Sequence, residues 1–260
     1  MTPEVRDSLR AFVDELAPAP DPWFLALRGL PEVAGTRLDM RHLLLAVFGQ
    51  ELAPVPLGRV LAALEDFLGE DLPRASHLPY ARLQEACCAV PGLGTWKHAL
   101  QAPGILLSCS DYLQGIPSLN QRIASLGPAA FVRDMAGEIP FAGRVSPWRL
   151  RPWRLARWLV RGELGPGIPE HLSTLHVPPA VLARTWRFLR WPVPPDDLPV
   201  RTQGWSDRIC RELFPDDPAR VWVPLTLLRR PKIKVWACED FRGGCGDCVL
   251  RKPCNPPGRV

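Results

Sequence analysis

The chain has 260 residues, 47% hydrophobic and 23% charged, which is enough apolar surface for a sizeable core and too little charge for a disordered chain. Its 31 prolines and 20 glycines predict many short elements, and only two tyrosines with few alternating β-branched runs argue against an all-β protein. The net charge of +5 is unevenly placed: residues 1–140 carry 11 Lys and Arg against 16 Asp and Glu, whereas residues 141–260 carry 21 against 11.

All the basic residues except Lys97, Lys232, Lys234 and Lys252 are arginines. A basic half built on arginine suggests a polyanionic partner, gripped by bidentate phosphate contacts and stacking; a solvated basic face is the plainer alternative. The sequence opens without a basic start or an apolar segment, so no signal peptide is expected. Leu43–Phe48, the longest apolar run, is far shorter than the ~20 residues a membrane span needs. A soluble, cytoplasmic monomer with no membrane partner is expected, and in a reducing compartment eight cysteines point away from a disulfide framework.

The chain reads as helices between capped turns. Residues 4–16 carry Val5, Leu9, Phe12, Val13 and Leu16 on one stripe. Asp39 is the expected N-cap of a buried helix ending at Phe48. Pro56–Leu68 continues with Leu57, Val60, Leu61, Leu64 and Leu68, and Leu83–Val90 and Asn120–Leu126 are shorter helices. Pro152–Arg161 has proline in its first turn and Gly162 after its end, and Pro178–Arg190 repeats that start. Trp205–Phe214 follows, then a helix from Asp217–Pro218 to Arg229, expected to kink at Pro224. The fold class is all-α. No internal repeat or low-complexity segment interrupts it.

From Cys238 the sequence reads C-EDFRGG-C-GD-C-VLRKP-C, placing Cys238, Cys245, Cys248 and Cys254 at a C-x6-C-x2-C-x5-C spacing. Four thiolates this close can wrap one site, and Gly243, Gly244 and Gly246 permit a tight backbone approach. Soft thiolates suit iron–sulfur or zinc. Zinc ribbons bring two C-x2-C knuckles and only one is present, so the expected cofactor is a [4Fe–4S] cluster. Zinc, and four unligated cysteines, are the alternatives.

This spacing resembles the C-terminal cluster loop of endonuclease III and the adenine-mismatch glycosylases, members of the helix-hairpin-helix DNA glycosylase superfamily. Upstream, Arg211–Trp222 looks like the helix pair preceding that cluster, and Ser146–Arg161 is similar to an uncharacterised bacterial branch. Leu43–Gly49 fits the buried N-terminal helix of that branch. The likeness spans roughly residues 35–255 and is most specific at the cluster. It implies an N-terminal helix and linker (1–34), a two-lobed helical glycosylase-like body (35–230) and a cluster loop with tail (231–260). The N-terminus and the cluster-proximal helices would form one lobe, the middle of the chain the other, with a cleft between. In that superfamily a hairpin's backbone N–H groups hold duplex phosphates, and the target base is flipped between lobes. A catalytic Asp at a Val-Asp-Thr-His-like helix start acts at the sugar, and in bifunctional members a hairpin Lys attacks it.

The sequence departs from this pattern at the chemistry. The corresponding helix start reads Leu175-His176-Val177-Pro178-Pro179, with proline about where the Asp belongs, and Gly143–Arg149 lacks the hairpin's second glycine and its lysine. No catalytic residue is carried over. The expected function is a DNA-binding protein of this superfamily, in repair or damage recognition, whose partner is duplex DNA, damaged or distorted. One alternative is an active N-glycosylase with a relocated carboxylate, and a more distant one is a zinc-dependent RNA- or protein-binding module. Expected DNA contacts are Arg149, Arg151 and Arg154, interleaved with Trp148, Trp153 and Trp158, together with Lys232, Lys234, Arg242, Arg251 and Lys252 around the loop. Indoles facing the core with arginines facing water is the plainer reading of the first group, which includes Arg157.

Val90–Lys97 looks superficially like the lyase hairpin, but a Gly-rich turn is the preferred reading. Glu170, Asp196 and Asp197 are turn or cap residues before they are displaced catalysts. His42, His77, His98, His171 and His176 lack paired metal spacing and are expected at surfaces or caps. Cys87 and Cys88 read as core, and Cys109 and Cys210 as structural.

Overall fold

A computed structural model of the protein describes residues 1–17, 20–49, 52–93, 99–142, 149–182 and 199–229. Among these residues every regular element is helical, as the all-α reading requires. None of these helices is long and apolar enough to cross a membrane. The hairpin region at 143–148 and the cysteine loop lie outside the described residues.

The helices are α1 (Pro3–Leu16), α2 (Gly35–Phe48), α3 (Pro54–Leu68), α4 (Tyr80–Ala89), α5 (Ala102–Gln114), α6 (Leu119–Leu126), α7 (Pro128–Glu138), α8 (Leu150–Val160), α9 (Pro179–Leu182), α10 (Pro199–Leu213) and α11 (Trp222–Arg229). Short 3₁₀ turns connect several of them. The chain divides into two compact units: Pro22–His171, and Met1–Asp21 with the chain from Leu172 onward.

In the unit Pro22–His171, α2 is the core element, with every residue from Met40 to Phe48 buried among α3, α5 and α8. Asp39 is not its N-cap. The helix already starts at Gly35, and the Asp39 carboxylate instead accepts the N–H of Leu119, the first residue of α6, at 3.2 Å, next to the Ser118 cap of that helix. Burial raises the Asp39 pKa more than this hydrogen bond lowers it. α3 lies so close to the turn Pro22–Leu27 that a Cβ at Gly58 would stand 2.8 Å from the Ala26 carbonyl oxygen, so only glycine fits there.

Burying α2 on all sides also buries two polar residues. The Arg41 guanidinium grips both oxygens of Glu65, with Nε to Oε1 at 2.6 Å, and donates to the Pro31 carbonyl at 2.9 Å. Both side chains of the pair are only 7% exposed. His42 is likewise an interior residue rather than a surface or capping one; burial, then the Arg41 charge, push its pKa down to about 4.

In the other unit, α1 starts on a Thr2 cap and buries Leu9, Phe12, Val13 and Leu16, while Val5 stays half-exposed. It packs against α10 and α11. Arg10 closes the end of α10, donating to the carbonyls of Leu213 (2.9 Å) and Glu212 (3.0 Å), where a cation also meets the negative end of the helix dipole. The expected kink at Pro224 does not occur. A 3₁₀ turn at Pro218–Val221 ends first, and Pro224 stands in the opening turn of α11, where a missing N–H costs nothing.

Candidate functional site

The four loop cysteines lie outside the described residues, as do Lys232, Lys234, Arg242, Arg251 and Lys252. The cysteines that are described do not compete for the role. Cys87, Cys109 and Cys210 are buried, and desolvation pushes the thiols of the first two up to about 12 and that of Cys210 higher still, so all three stay protonated. Cys88 is exposed rather than core. Among the described residues no group of His, Cys, Asp and Glu is arranged to hold a metal.

The arginines of α8 take an arrangement that neither sequence reading anticipated. Trp153 and Trp158 are buried, and so are the intervening cations: Arg154 is 4% exposed and Arg157 1%. Arg154 lies over the Trp23 ring, 5.0 Å from its centroid, and Arg157 pairs with Glu163 at 3.0 Å. Every residue of α8 from Pro152 to Val160 is buried, with α2, α6 and α7 among its neighbours, so from Arg154 onward no position of the helix points to water. Arg154 is thus an interior cation and leaves the set of phosphate contacts. Arg151 is half-buried and donates to the Phe141 carbonyl. Arg149, half-exposed, holds the left-handed conformation (φ 43°) at the helix start.

A second polar arrangement lies in the other unit, at the segment expected to begin the catalytic helix. Pro178 and Pro179 are buried and α9 starts at Pro179. Just before them, residues 173–177 are strapped to α10 by side chains. Arg211 donates to the Ser173 carbonyl (2.7 Å), while the Ser206 hydroxyl (2.5 Å) and Gln203 (3.2 Å) both donate to the Val177 carbonyl. His176 Nδ1 meets Asp207 Oδ2 at 2.6 Å, and Gln203 holds the other oxygen, Oδ1, at 2.8 Å. The imidazole is 29% exposed and the carboxylate 16%. The carboxylate faces Nδ1, so the pair fixes the orientation of the imidazole ring. An imidazole oriented by a carboxylate is an arrangement that suits proton transfer.

Sequence reasoning weighed His176 singly and did not single out Asp207. Thirty-one positions separate the two, and only the fold joins them. Glu170, one of the residues weighed as a displaced carboxylate, is an exposed member of the turn Pro169–Thr174; Asp196 and Asp197 lie outside the described residues.

Unit Pro22–His171 also holds a cavity of about 310 Å³ lined by Ser108, Asp111, Tyr112, Arg122, Asp134 and Glu138 among others. At its wall Arg122 pairs with Asp134 through both oxygens, at 2.6 and 2.9 Å, and Tyr112 donates to the same carboxylate at 2.9 Å. Arg122 holds the Asp134 carboxyl below its usual range, while burial raises the Tyr112 phenol. These groups satisfy one another, and the arrangement is structural. Comparison with family models, curated proteins and solved structures gives no match.

Proposed function

We propose that this chain is a DNA-binding protein of the iron–sulfur helix-hairpin-helix glycosylase type, a cytoplasmic monomer acting on damaged or distorted duplexes. The C-x6-C-x2-C-x5-C spacing of Cys238, Cys245, Cys248 and Cys254 carries the reading. Four soft thiolates fit a [4Fe–4S] cluster, and the buried, protonated cysteines elsewhere offer no rival donor set. The helical elements among the described residues and a basic second half support the same reading. Anaerobically purified protein is expected to be yellow-brown with about four irons per chain, and to lose the colour on Cys245→Ser. Stoichiometric zinc in place of iron would overturn the cluster.

One observation favours a second reading, base excision. His176, its Nδ1 held by Asp207, occupies the segment that the resemblance equates with the catalytic helix start. Water would attack the sugar carbon as the glycosidic bond breaks; the base leaves with the bonding electrons, and His176 takes the water proton. On this reading His176→Gln or Asp207→Asn lowers single-turnover base release by about 10²-fold or more, with duplex affinity unchanged. A wild-type protein releasing no base from a panel of lesion duplexes removes it.

A further inference from the structure

The outward side of α10 carries two exposed arginines. Gly204, Arg208 and Arg211 are exposed, at spacings of four and three that bring them to one side of the helix. A Cβ at Gly204 would meet nothing within 4 Å, so a ligand can approach the backbone there. Arg208 makes no hydrogen bond or ion pair with the described residues. Arg211 commits one N–H to the Ser173 carbonyl, and a guanidinium has five to give.

The carboxylates nearby do not cancel these charges. Asp207, one turn before Arg211, is taken up by His176 and Gln203. Glu212, one turn after Arg208, is half-buried, and among the described residues neither carboxylate is paired to Arg208 or Arg211. The opposite side of α10 is fixed: Trp205, Ile209, Cys210 and Leu213 are buried, and the strap to residues 173–177 locks the flank. Two exposed guanidinium groups one turn apart on a helix packed on its other side, beside the open backbone at Gly204, match a row of phosphates.

We propose that Arg208 and Arg211, around Gly204, form a phosphate-contact surface for duplex DNA on α10. The proposal rests on the DNA-binding reading above and adds to it a surface distinct from the cysteine loop. Phosphate contacts position a duplex without reading sequence, so this surface contributes equally to all duplexes.

The test is equilibrium binding of the full-length, cluster-loaded protein to two labelled duplexes of unrelated sequence over a series of salt concentrations. The double variant Arg208→Ala/Arg211→Ala is expected to weaken binding to both duplexes alike, and to lower the slope of log affinity against log salt by about two. Gly204→Gln, which fills the open backbone without touching the core, is expected to weaken binding in the same way. Wild-type affinity and slope in both variants would overturn the surface while leaving DNA binding in place. So would a loss confined to one sequence. Absence of duplex binding by the wild-type protein would instead overturn the DNA-binding reading on which the surface rests.

Discussion

Helices α8 and α10 are both rich in arginine and both lie in the basic half of the chain, yet they use the charge in opposite ways. On α8 the guanidinium groups of Arg154 and Arg157 are turned inward, one onto Trp23 and one onto Glu163. On α10 Arg208 and Arg211 remain at the surface, and the inward positions are taken by Trp205, Ile209 and Leu213. The difference follows from what surrounds each helix. α8 is buried from Pro152 to Val160, so its long side chains bury their stems and find partners for their heads. α10 keeps exposed residues on one side, and ordinary amphipathic patterning holds. Clustered arginine is therefore evidence of a polyanion partner only where the fold leaves the heads in water.

The largest effects should come from interior charge. Glu65→Gln leaves the Arg41 guanidinium buried without its counter-charge, and is expected to lower the unfolding free energy by about 3–5 kcal/mol, read from urea or thermal unfolding. A loss under 1 kcal/mol would mean that water reaches Arg41 and that charge in this unit is not truly interior. Next comes a direct contrast of the two helices. Arg154→Ala removes a desolvated cation–π contact and its packing and should cost about 2 kcal/mol, whereas Arg208→Ala should stay within about 0.5 kcal/mol. Equal costs at the two positions would erase the distinction between them.

Much of the helical framework was legible in the sequence, and the failures have physical causes. The stripes of α1 and α3 stood out because one face of each is buried, so apolar residues recur every three or four positions. α5 and α7 did not. Gly104, Ser108 and Ser110 interrupt the first and Gly137 the second, which reads as loop although Pro103 and Pro128 open both helices by the same rule that marked α8. Asp39 has the right chemistry for an N-cap but gives its carboxylate to the Leu119 N–H at the start of α6, a long-range contact that local pattern does not contain. The pairing of His176 with Asp207 and the inward turn of Arg154 are of the same kind. Both depend on which helices happen to be neighbours, and charged residues are by default expected outside. The cysteine ligand set needed no tertiary information, because all four candidate ligands fall in one short stretch.

The smallest expected effect is none at all, and it concerns covalent chemistry. A Schiff base with the sugar of an abasic site requires a neutral amine within bonding distance of its aldehyde carbon. The chain has four lysines, Lys97, Lys232, Lys234 and Lys252, and none falls between residues 97 and 232. That interval contains both α8 and the strap at residues 173–177. Among the described residues the groups gathered at the strap are an imidazole, a carboxylate, an amide, a hydroxyl and a guanidinium, none of which forms a stable imine. Base release by these groups would be hydrolytic and would leave no protein–DNA imine for borohydride to trap. Incubation with an abasic duplex and borohydride is expected to give no cross-linked band, and Lys97→Ala to behave as the wild type. A robust band lost in Lys97→Ala would instead make the turn at Val90–Leu93, where Gly92 sits at φ 91°, the start of a nucleophile-bearing hairpin. The chemistry would then belong to the unit Pro22–His171 and not to the one that carries α10.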